Sequence, residues 1–328
     1  YSGGHTSILR LGTELSKNGY DVRYFSIYDN ETLEEMKSNA EATLAGYKGT
    51  FIDGSIEDIE TDVVIATQWD TVYHAKKING YKMYFVQDYE PYFYMFGEAF
   101  IIAQKTYELG FHMISLGAWN KHMVEKECSI ISPIDVITFP YEGKEYYDKG
   151  RNFDEYPNKK EFNMAVYVKD TGKRAPYICQ YMVKRLKDDL LKDGITLNVK
   201  YYGESTDFKC DGGENIGKLT KAELLELYNN SDFGMVGSLT NISLVPYEML
   251  ATGLPIFEFK EGTFNYFFPT GSALVTSFDY NEFYEMFKNA INNPDVLKEI
   301  NKVSTEYLNT LSWQNTGKEC VEILKRLK

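Results

Sequence analysis

Short apolar stretches rich in β-branched and aromatic residues alternate with stretches of helical spacing along most of this chain. In its first half the strand-like stretches are YDVRYFSI, TDVVIAT, KMYFVQ, GFHMISLG and IDVITFP. Stretches with helical spacing lie between them and include TSILRLGTELSKNG and AFIIAQKTYELG. Alternation of this kind predicts an α/β fold in which helices cover both faces of a parallel sheet.

The same alternation restarts after Pro157 with EFNMAVYV and continues to LPIFEF, which predicts a second α/β unit. A chain of 328 residues is long enough for two ordinary domains. The polar stretch 141–161 lacks apolar periodicity and indicates a linker. We therefore place the first domain at residues 1–150 and the second at residues 151–328, closed by amphipathic helices with a break at Asn293-Pro294.

The charge balance and the cysteine and histidine patterns argue against several classes of protein. Asp and Glu number 48 against 35 Lys and Arg, so the formal net charge of −13 disfavours nucleic acid as a partner. The four cysteines form no C-x-x-C pair, and the four histidines show no metal-ligand spacing. No apolar run reaches the roughly 18 residues of a membrane span, and no signal-peptide pattern opens the chain. We expect a cytoplasmic protein with reduced thiols and no bound metal.

Gly3 and Gly4 precede a helical stretch whose first turn holds Thr6 and Ser7. A glycine turn at a helix N-terminus offers free backbone N–H groups to an anionic or polyhydroxyl ligand. The alternative is an ordinary strand-to-helix turn, because glycine is frequent in turns. Such a turn normally follows the first strand of a sheet, so we expect the first strand of the first domain to be missing from this sequence.

Three basic residues, Lys169, Lys173 and Arg174, follow the strand-like stretch MAVYV. Ligands of open α/β sheets bind outside the carboxyl ends of the strands, so these cations are well placed to bind a diphosphate. The alternative is a cluster of solvated surface charges. We favour the diphosphate because the cluster lies where a strand ends.

Glu248 is an acidic residue within the largely apolar stretch ISLVPYEMLATGLPIFEF. A polar turn at residues 238–243 follows the strand-like FGMVGS, and a helix is predicted to begin near Leu244. Glu248 then lies about one turn inside that helix, where its carboxylate can accept hydrogen bonds from both vicinal hydroxyls of a ribose. The alternative is a glutamate that the helix dipole favours in the first turn.

The stretch SLVPYEMLATGLPIFEF resembles the nucleotide-sugar signature of glycosyltransferase family 4, whose members are retaining enzymes of GT-B fold. The resemblance extends over almost the whole chain and includes SGGHTSILRLGTELSKNGYDV, VITFPYEGKEYYDK and LSWQNTGKECVEIL. It implies that Lys169 and Arg174 bind the diphosphate of the donor and that Glu248 binds its ribose. The family's usual motif has a second glutamate upstream, where this chain has Thr240.

The same resemblance implies roles for further residues. Those expected to bind the donor are Lys173, Gly217, Lys218, Asn241, Ser243 and Leu244. Those expected to form a loop for the acceptor or the transferred sugar are Gly3, Gly4 and His5.

The segment YFVQDYEPYFYMFGEAFIIAQKTYELGFHMISLGAW, together with Thr240, resembles the rhamnosyltransferases that build bacterial cell-surface polysaccharides from dTDP-rhamnose. Asp88 and Glu90 follow the strand-like KMYFV in this segment, and the resemblance implies that they are catalytic or orient the acceptor. Family 4 enzymes often have a histidine in this region. The alternatives are a turn residue for Glu90 and a local cap for Asp88, and we prefer Asp88 as the functional one.

The resemblance implies two Rossmann-like doubly wound domains that face each other across a cleft, with the acceptor on the first and the nucleotide sugar on the second. The expected reaction transfers a sugar, with retained configuration and without a metal, from a dTDP- or UDP-linked donor to a glycan or lipid-linked glycan. The nucleotide sugar is a co-substrate, and no other cofactor is expected. A lipid-linked acceptor would bring the protein to the inner face of the membrane.

Two other functions stay open at this point. A catalytically silent nucleotide-sugar or glycan binding protein of the same fold is one, because Thr240 and Asp88 depart from the family's usual residues. An enzyme that hydrolyses or epimerises the nucleotide sugar is the other. The sequence does not determine the acceptor, the linkage or the oligomeric state.

Overall fold

The computed structural model describes residues 3–28 and 31–327. Their packing divides the chain into unit 1, Tyr1–Pro140 with Leu311–Lys328, and unit 2, Tyr141–Thr310. Both units are built from parallel strands and helices, so the predicted α/β class is confirmed.

Helices and strands alternate along the first part of unit 1. They are, in chain order, α1 (Gly3–Lys17), β1 (Arg23–Phe25), α2 (Leu33–Thr43), β2 (Thr50–Ile52), β3 (Val63–Ala66), α3 (Trp69–Ala75), β4 (Tyr81–Val86), α4 (Glu98–Thr106), β5 (His112–Leu116), α5 (Ala118–Glu127) and β6 (Ile134–Ile137). Short 3-10 turns at Ile56–Asp58 and Glu90–Phe93 add to the connections.

Two parallel sheets are present among the residues of unit 1 that the structure describes. The first pairs β1 with β2, and the second has the order β3-β4-β5-β6. Every residue of β5 is buried, as expected for a strand in a sheet covered on both faces. The strand predicted to precede α1 lies outside the described residues and stays a prediction.

Unit 2 repeats the alternation with a larger sheet. Its elements are β7 (Glu161–Tyr167), α6 (Pro176–Lys192), β8 (Thr196–Tyr202), β9 (Glu214–Asn215), α7 (Lys221–Asn229), β10 (Phe233–Met235), α8 (Val245–Ala251), β11 (Ile256–Phe259), β12 (Leu274–Thr276), α9 (Tyr280–Asn292) and α10 (Pro294–Leu308). Further 3-10 turns lie at Phe153–Asn158, Gly172–Arg174 and Phe264–Tyr266. The break between α9 and α10 falls at Asn293-Pro294, where the sequence predicts it.

All strands of the unit 2 sheet are parallel, in the order β9-β8-β7-β10-β11-β12. Apolar side chains of the central strands pack against α6 and α9 in one continuous core. Burial of this apolar area is the main term that stabilises such a unit.

The closing helix α11 (Trp313–Lys325) belongs to unit 1 and not, as predicted, to the second domain. Its apolar face joins α1 and strands β4, β5 and β6 in the unit 1 core. A Cβ at Gly317 would lie only 2.4 Å from the Cβ of Glu14, so the two helices can cross this closely only because position 317 is glycine. Glu319 also accepts hydrogen bonds from the backbone N–H (2.6 Å) and the Oγ1 hydroxyl (2.8 Å) of Thr138.

The predicted linker at residues 141–161 is instead packed onto unit 2, so the predicted boundary between residues 150 and 151 falls inside that unit. Tyr141, Tyr146, Phe153 and Tyr156 of this stretch are all buried. Most residues of the stretch are polar, and its aromatic residues follow neither a helical nor a strand period. Only the tertiary packing therefore shows that these aromatic residues are buried.

No helix within residues 3–28 and 31–327 is long and apolar enough to cross a membrane. Over the same residues, no group of three or more His, Cys, Asp or Glu side chains is arranged to hold a metal ion. That the reaction needs no metal stays a prediction.

A buried carboxyl group organises the segment after β4. Glu90 is 3% exposed, and its Oε2 atom accepts hydrogen bonds from the backbone N–H of Trp69 at 2.6 Å and the hydroxyl of Tyr84 at 3.0 Å. The backbone N–H of Glu90 donates to the hydroxyl of Tyr107, whose ring stacks on that of Tyr84. Burial raises the pKa of Glu90 to about 8, against the lowering effect of its hydrogen bonds.

We predict that Glu90→Gln reduces the pH dependence of the stability of unit 1. Because folding raises the pKa of Glu90 to about 8, its stabilising contribution is complete below the pKa of the unfolded chain and is lost as the pH rises through about 8. The wild type should therefore lose stability between about pH 5 and pH 9, and the variant should lose less.

Tryptophan fluorescence during urea unfolding is the suitable measurement, because Trp69, Trp119 and Trp313 all belong to unit 1. Glu98→Gln, which removes an exposed carboxylate from α4, should behave as the wild type. Parallel pH profiles for the wild type and Glu90→Gln would contradict the assignment.

Candidate functional site

The direction of the strand connections in unit 2 reverses between β7 and β10, which lie side by side in the sheet. From β7 the chain adds β8 and β9 on one side, and it then returns to add β10, β11 and β12 on the other side. In open α/β sheets the loops diverge at such a switch point and leave a crevice outside the carboxyl ends of the strands. We call the loops at this end of the unit 2 sheet the carboxyl edge.

Arg174 lies at this switch point, in the turn that follows β7, and is 8% exposed. Its Nη2 atom donates to the backbone oxygen of Asn241, in the loop after β10, at 3.1 Å. Its Nη1 atom is buried and has no hydrogen-bond partner among the described residues. A buried guanidinium N–H without an acceptor is costly, and an anionic ligand would satisfy it.

Ala175 turns the chain from Arg174 into α6 with a left-handed conformation, φ 48° and ψ 44°. It has the only positive φ of a non-glycine residue in the described ranges, which marks local strain at this point. No side chain caps the first turn of the 17-residue α6. Its first-turn N–H groups therefore provide a partial positive charge beside Arg174.

The loop after β10 approaches the turn after β7 very closely. A Cβ at Gly237 would lie 2.6 Å from the Cβ of Ala175 and 2.7 Å from the backbone oxygen of Arg174, so only glycine fits. The backbone N–H of Leu239 donates to the backbone oxygen of Lys173 at 3.1 Å. The two loops of the switch point are thus fixed to each other.

Two hydroxyl groups of the loop after β10 are buried without a hydrogen-bond partner in the part of the chain that the structure describes. They are the Oγ1 atom of Thr240, a residue that is 6% exposed, and the Oγ atom of Ser243. Together with Arg174 Nη1 they give three polar atoms at the carboxyl edge that protein atoms do not satisfy. Asn241 is buried beside them, whereas Leu244 is exposed.

Lys169, Gly217 and Lys218 lie at the same edge of the sheet. Glu204, just after β8, has a pKa lowered by two backbone hydrogen bonds and then by the charges of Lys169 and Lys218. The backbone oxygen of Gly217 accepts from the N–H of Gly203 at 2.9 Å. Loops after β7, β9 and β10 therefore contribute all of the residues that the sequence assigns to the donor except Glu248, which lies in α8.

Glu248 lies in α8, is half-buried, and has several tyrosine side chains near it. Burial raises its pKa to about 7, partly offset by the positive charge of Lys221. Burial, and after it the charge of Glu248, raises the pKa of Tyr141, Tyr146 and Tyr228. A half-buried carboxyl group in this position can accept hydrogen bonds from a ligand that displaces water.

The remaining predicted residues belong to unit 1. Gly3 and Gly4 are the first residues of α1 and not a turn before it, and a Cβ at Gly3 would meet nothing within 4 Å. His5 is exposed on α1, and its pKa is lowered mainly by partial burial of the ring. The close approach of this backbone to a ligand stays a prediction.

Asp88 and Glu90 follow β4, as predicted, but in different environments. Asp88 is half-buried, and its Oδ1 atom accepts from the N–H of Tyr89 at 2.9 Å. Glu90 is buried and bound to Trp69 and Tyr84. This is the placement of a structural carboxyl group, so Asp88 is the better candidate for a catalytic role.

Sequence reasoning missed Glu258, a residue of β11 that is 0% exposed. Burial raises its pKa to about 8, and its carboxyl group binds Ser238 in the loop after β10. The signal was available, because an acidic residue between Phe257 and Phe259 in a strand-like stretch is unusual. Neither the strain at Ala175 nor the role of Gly237 has such a signal.

Comparison with known proteins adds a relative and several structural neighbours. No model of a known protein family matches the chain. The O-antigen biosynthesis protein RfbC of Myxococcus xanthus is 23% identical over an alignment of 348 residues. The alignment covers 96% of this chain and 25% of that protein. The chain thus spans about a quarter of the length of this curated relative.

Solved structures resemble the chain at low sequence identity. Sucrose-phosphate synthase of Thermosynechococcus elongatus has a TM-score of 0.69 and 13% identity, with coverage of 99% of this chain and 94% of that one. Anabaena HepE, in complex with UDP and glucose, has a TM-score of 0.70 and 10% identity, with coverage of 99% and 96%.

WaaG, a glycosyltransferase involved in lipopolysaccharide biosynthesis, has a TM-score of 0.60 and 12% identity, with coverage of 98% of this chain and 96% of that one. At such identities the likeness shows the fold alone. The chain has the α/β fold with parallel sheets of the GT-B glycosyltransferases.

Proposed function

We propose that the chain is a glycosyltransferase of cell-surface polysaccharide assembly that binds a nucleotide-sugar donor at the carboxyl edge of unit 2. One observation carries the proposal. The Nη1 atom of Arg174 is buried without a partner at the switch point of the sheet, beside the uncapped N-terminus of α6. A diphosphate supplies the negative charge and the acceptor oxygens that this arrangement lacks.

Glu248 and the loop after β10 extend the proposed donor site. The carboxylate of Glu248 would accept hydrogen bonds from the pentose of the nucleotide, either from the 2′- and 3′-hydroxyls of UDP or from the single 3′-hydroxyl of dTDP. The unsatisfied hydroxyls of Thr240 and Ser243 would bond to the donor. The tyrosine rings near Glu248 lower the local polarity, and hydrogen bonds are electrostatically stronger in such surroundings than in water.

The similarity to known proteins supports the biological setting of the proposal. The chain resembles an O-antigen biosynthesis protein along 96% of its length, and its structural neighbours include HepE, in complex with UDP and glucose, and WaaG. We propose a dTDP- or UDP-linked donor, with dTDP-rhamnose as the first choice. We propose as acceptor a glycan or lipid-linked glycan, which would bring the protein to the inner face of the membrane.

The proposed chemistry follows from where charge develops during transfer. The departing nucleoside diphosphate gains negative charge, and Arg174 and Lys169 stabilise that charge more in the transition state than in the bound donor. We propose retention of configuration by front-face substitution, in which the leaving phosphate assists the incoming hydroxyl, without a metal ion. Asp88 of unit 1 is proposed to orient the acceptor hydroxyl.

A catalytically silent binding protein is the second candidate. It is favoured by the burial of Glu90 and by Thr240 at the position of the family's second glutamate. Donor turnover in the presence of an acceptor glycan separates the two functions, because a silent protein would bind the nucleotide sugar and leave it intact. Release of free or isomerised sugar without an acceptor would instead identify a hydrolase or an epimerase.

Arg174→Ala should weaken binding of UDP or dTDP by about ten- to a hundredfold, because hydrogen bonds to charged groups contribute roughly 1.5 to 3 kcal/mol. Affinity for the matching nucleoside, which lacks phosphates, should hardly change. Isothermal titration calorimetry gives both values.

Arg185→Ala is the matched control, since Arg185 lies further along α6 and packs over the ring of Tyr280. It should leave both affinities unchanged. Equal weakening of nucleotide and nucleoside binding in Arg174→Ala would refute the diphosphate assignment.

Glu248→Ala should weaken UDP binding by about ten- to a hundredfold, because the 2′- and 3′-hydroxyls lose a charged acceptor. It should weaken dTDP binding less, since deoxyribose has only the 3′-hydroxyl. A 2′,3′-dideoxy nucleotide should bind the wild type and the variant equally, since it lacks those hydroxyls. A helix-dipole role for Glu248 predicts a different result, namely a loss of roughly 0.3 to 1 kcal/mol in the free energy of unfolding with affinity unchanged. Calorimetric titration with thermal unfolding distinguishes the two roles.

Asp88→Asn should bind the donor normally and transfer its sugar slowly, because a neutral amide holds the acceptor hydroxyl less firmly than a carboxylate does. The readouts are nucleotide affinity, transfer rate with an acceptor glycan, and tryptophan fluorescence as a check that unit 1 is folded. A wild-type transfer rate in this variant would remove Asp88 from the proposed mechanism.

A further inference from the structure

Glu258 is a carboxyl group that the proposed donor contacts leave unused. It lies in β11 with 0% exposure, between Phe257 and Phe259. Its Oε2 atom accepts from the backbone N–H of Ser238 at 3.1 Å, and its Oε1 atom accepts from the hydroxyl of Ser238 at 2.6 Å. A carboxyl group inside a sheet is costly to bury, and here both of its oxygens hold one residue of the loop after β10.

The loop that Glu258 holds is the one that contacts Arg174. The N–H of Thr263 donates to the backbone oxygen of Ser238 at 2.7 Å. The hydroxyl of Thr263 donates to the backbone oxygen of Thr240 at 2.5 Å. The backbone oxygen of Asn241 then accepts from Arg174 Nη2 at 3.1 Å. One short segment, residues 238–241, therefore connects the buried carboxyl group to the guanidinium.

Titratable groups near Glu258 come from the turn after β7, which holds Arg174, and from α6, which holds Cys179. Burial is the largest cause that raises the pKa of Glu258, to about 8, while the positive charge of Arg174 opposes it. Cys179 of α6 lies near the same carboxyl group: burial, and after it the charge of Glu258, raises the pKa of that thiol. At neutral pH Glu258 is therefore largely protonated and does not neutralise Arg174.

We propose that Glu258 is a positioning residue for the anion-binding carboxyl edge: through Ser238 it fixes the loop whose Asn241 carbonyl orients Arg174. The inference rests on the proposed function, because the anion is the diphosphate of the donor. It also gives Glu258 an electrostatic effect. When Glu258 ionises, its negative charge opposes that of the diphosphate, so nucleotide affinity falls as the pH rises through about 8.

Glu258→Ala tests the positioning role, because it removes both acceptors of Ser238. Titration with UDP and dTDP at pH 7 should show about tenfold weaker binding than in the wild type, and the KM for the nucleotide sugar should rise more than kcat falls. Affinity for uridine and thymidine should stay unchanged.

Asp232→Asn is the matched control for buried acids in this sheet. Asp232 is 6% exposed and also links β10 to β7, through the backbone N–H of Asn163 at 2.8 Å, but at the amino ends of the strands. It should lower the melting temperature and leave nucleotide affinity unchanged.

Glu258→Gln tests the charge, because the amide can keep a bond to Ser238 N–H and to its hydroxyl but cannot ionise. Wild-type affinity for the nucleoside diphosphate should fall about three- to tenfold between pH 7 and pH 9 beyond any fall seen in the variant. The variant also guards against misfolding of Glu258→Ala, since it preserves the shape of the side chain.

The outcomes distinguish a failure of the proposed donor site from a failure of the positioning role of Glu258. A wild type that binds neither UDP nor dTDP would overturn the proposed donor site and this inference with it. A wild type that binds one of them, with unchanged affinity in Glu258→Ala or with the same pH profile in Glu258→Gln, would overturn the inference alone. An equal loss of nucleotide affinity in Asp232→Asn would reduce Glu258 to a general structural role and would also overturn it.

Discussion

The contact between the loops that leave β7 and β10 is the constraint on which the rest of the candidate site depends. It exists because two neighbouring parallel strands send their chains in opposite directions across the sheet, which leaves their carboxyl ends uncovered. Gly237 permits an approach that any Cβ would block, and Arg174 spans the gap to the backbone of Asn241. The strained Ala175 then starts α6 directly at the crevice.

Burial raises the pKa values of three glutamates in this chain, and the three have different roles. The Oε2 atom of Glu90 is bound by two protein donors, and these bonds stabilise a segment of unit 1. Glu258 holds a loop and lies close enough to Arg174 for the two charges to interact. Glu248 accepts no hydrogen bond from the residues that the structure describes, so its half-buried carboxyl group is suited to accept a ligand's hydroxyl groups. Burial alone therefore does not identify a binding residue, whereas burial together with unsatisfied polar groups does.

Much of the fold could be predicted from the sequence because the strands that form the sheet centres are short, apolar and bounded by polar turns. MAVYV and KMYFV are recognisable for this reason: β4 contains KMYFV, and β7 contains MAVYV up to Tyr167. Elements with a polar composition were not predicted: α2 begins at a capping box formed by Thr32 and Glu35, and few of its residues are buried. The aromatic residues of the stretch 141–161 were misread as a linker because their burial depends on partners distant in the sequence.

The sequence by itself determined the α/β class, the break at Asn293-Pro294, and the cationic cluster that ends in Arg174, because these depend on neighbouring residues. Only the tertiary structure decided that α11 returns to unit 1, that Glu90 is enclosed, and that Glu258 holds the loop after β10. Those outcomes depend on residues far apart in the chain, whose distances are fixed by the packing of helices on sheets. A local pattern shows that a side chain is charged or apolar, but the fold decides which other groups surround it.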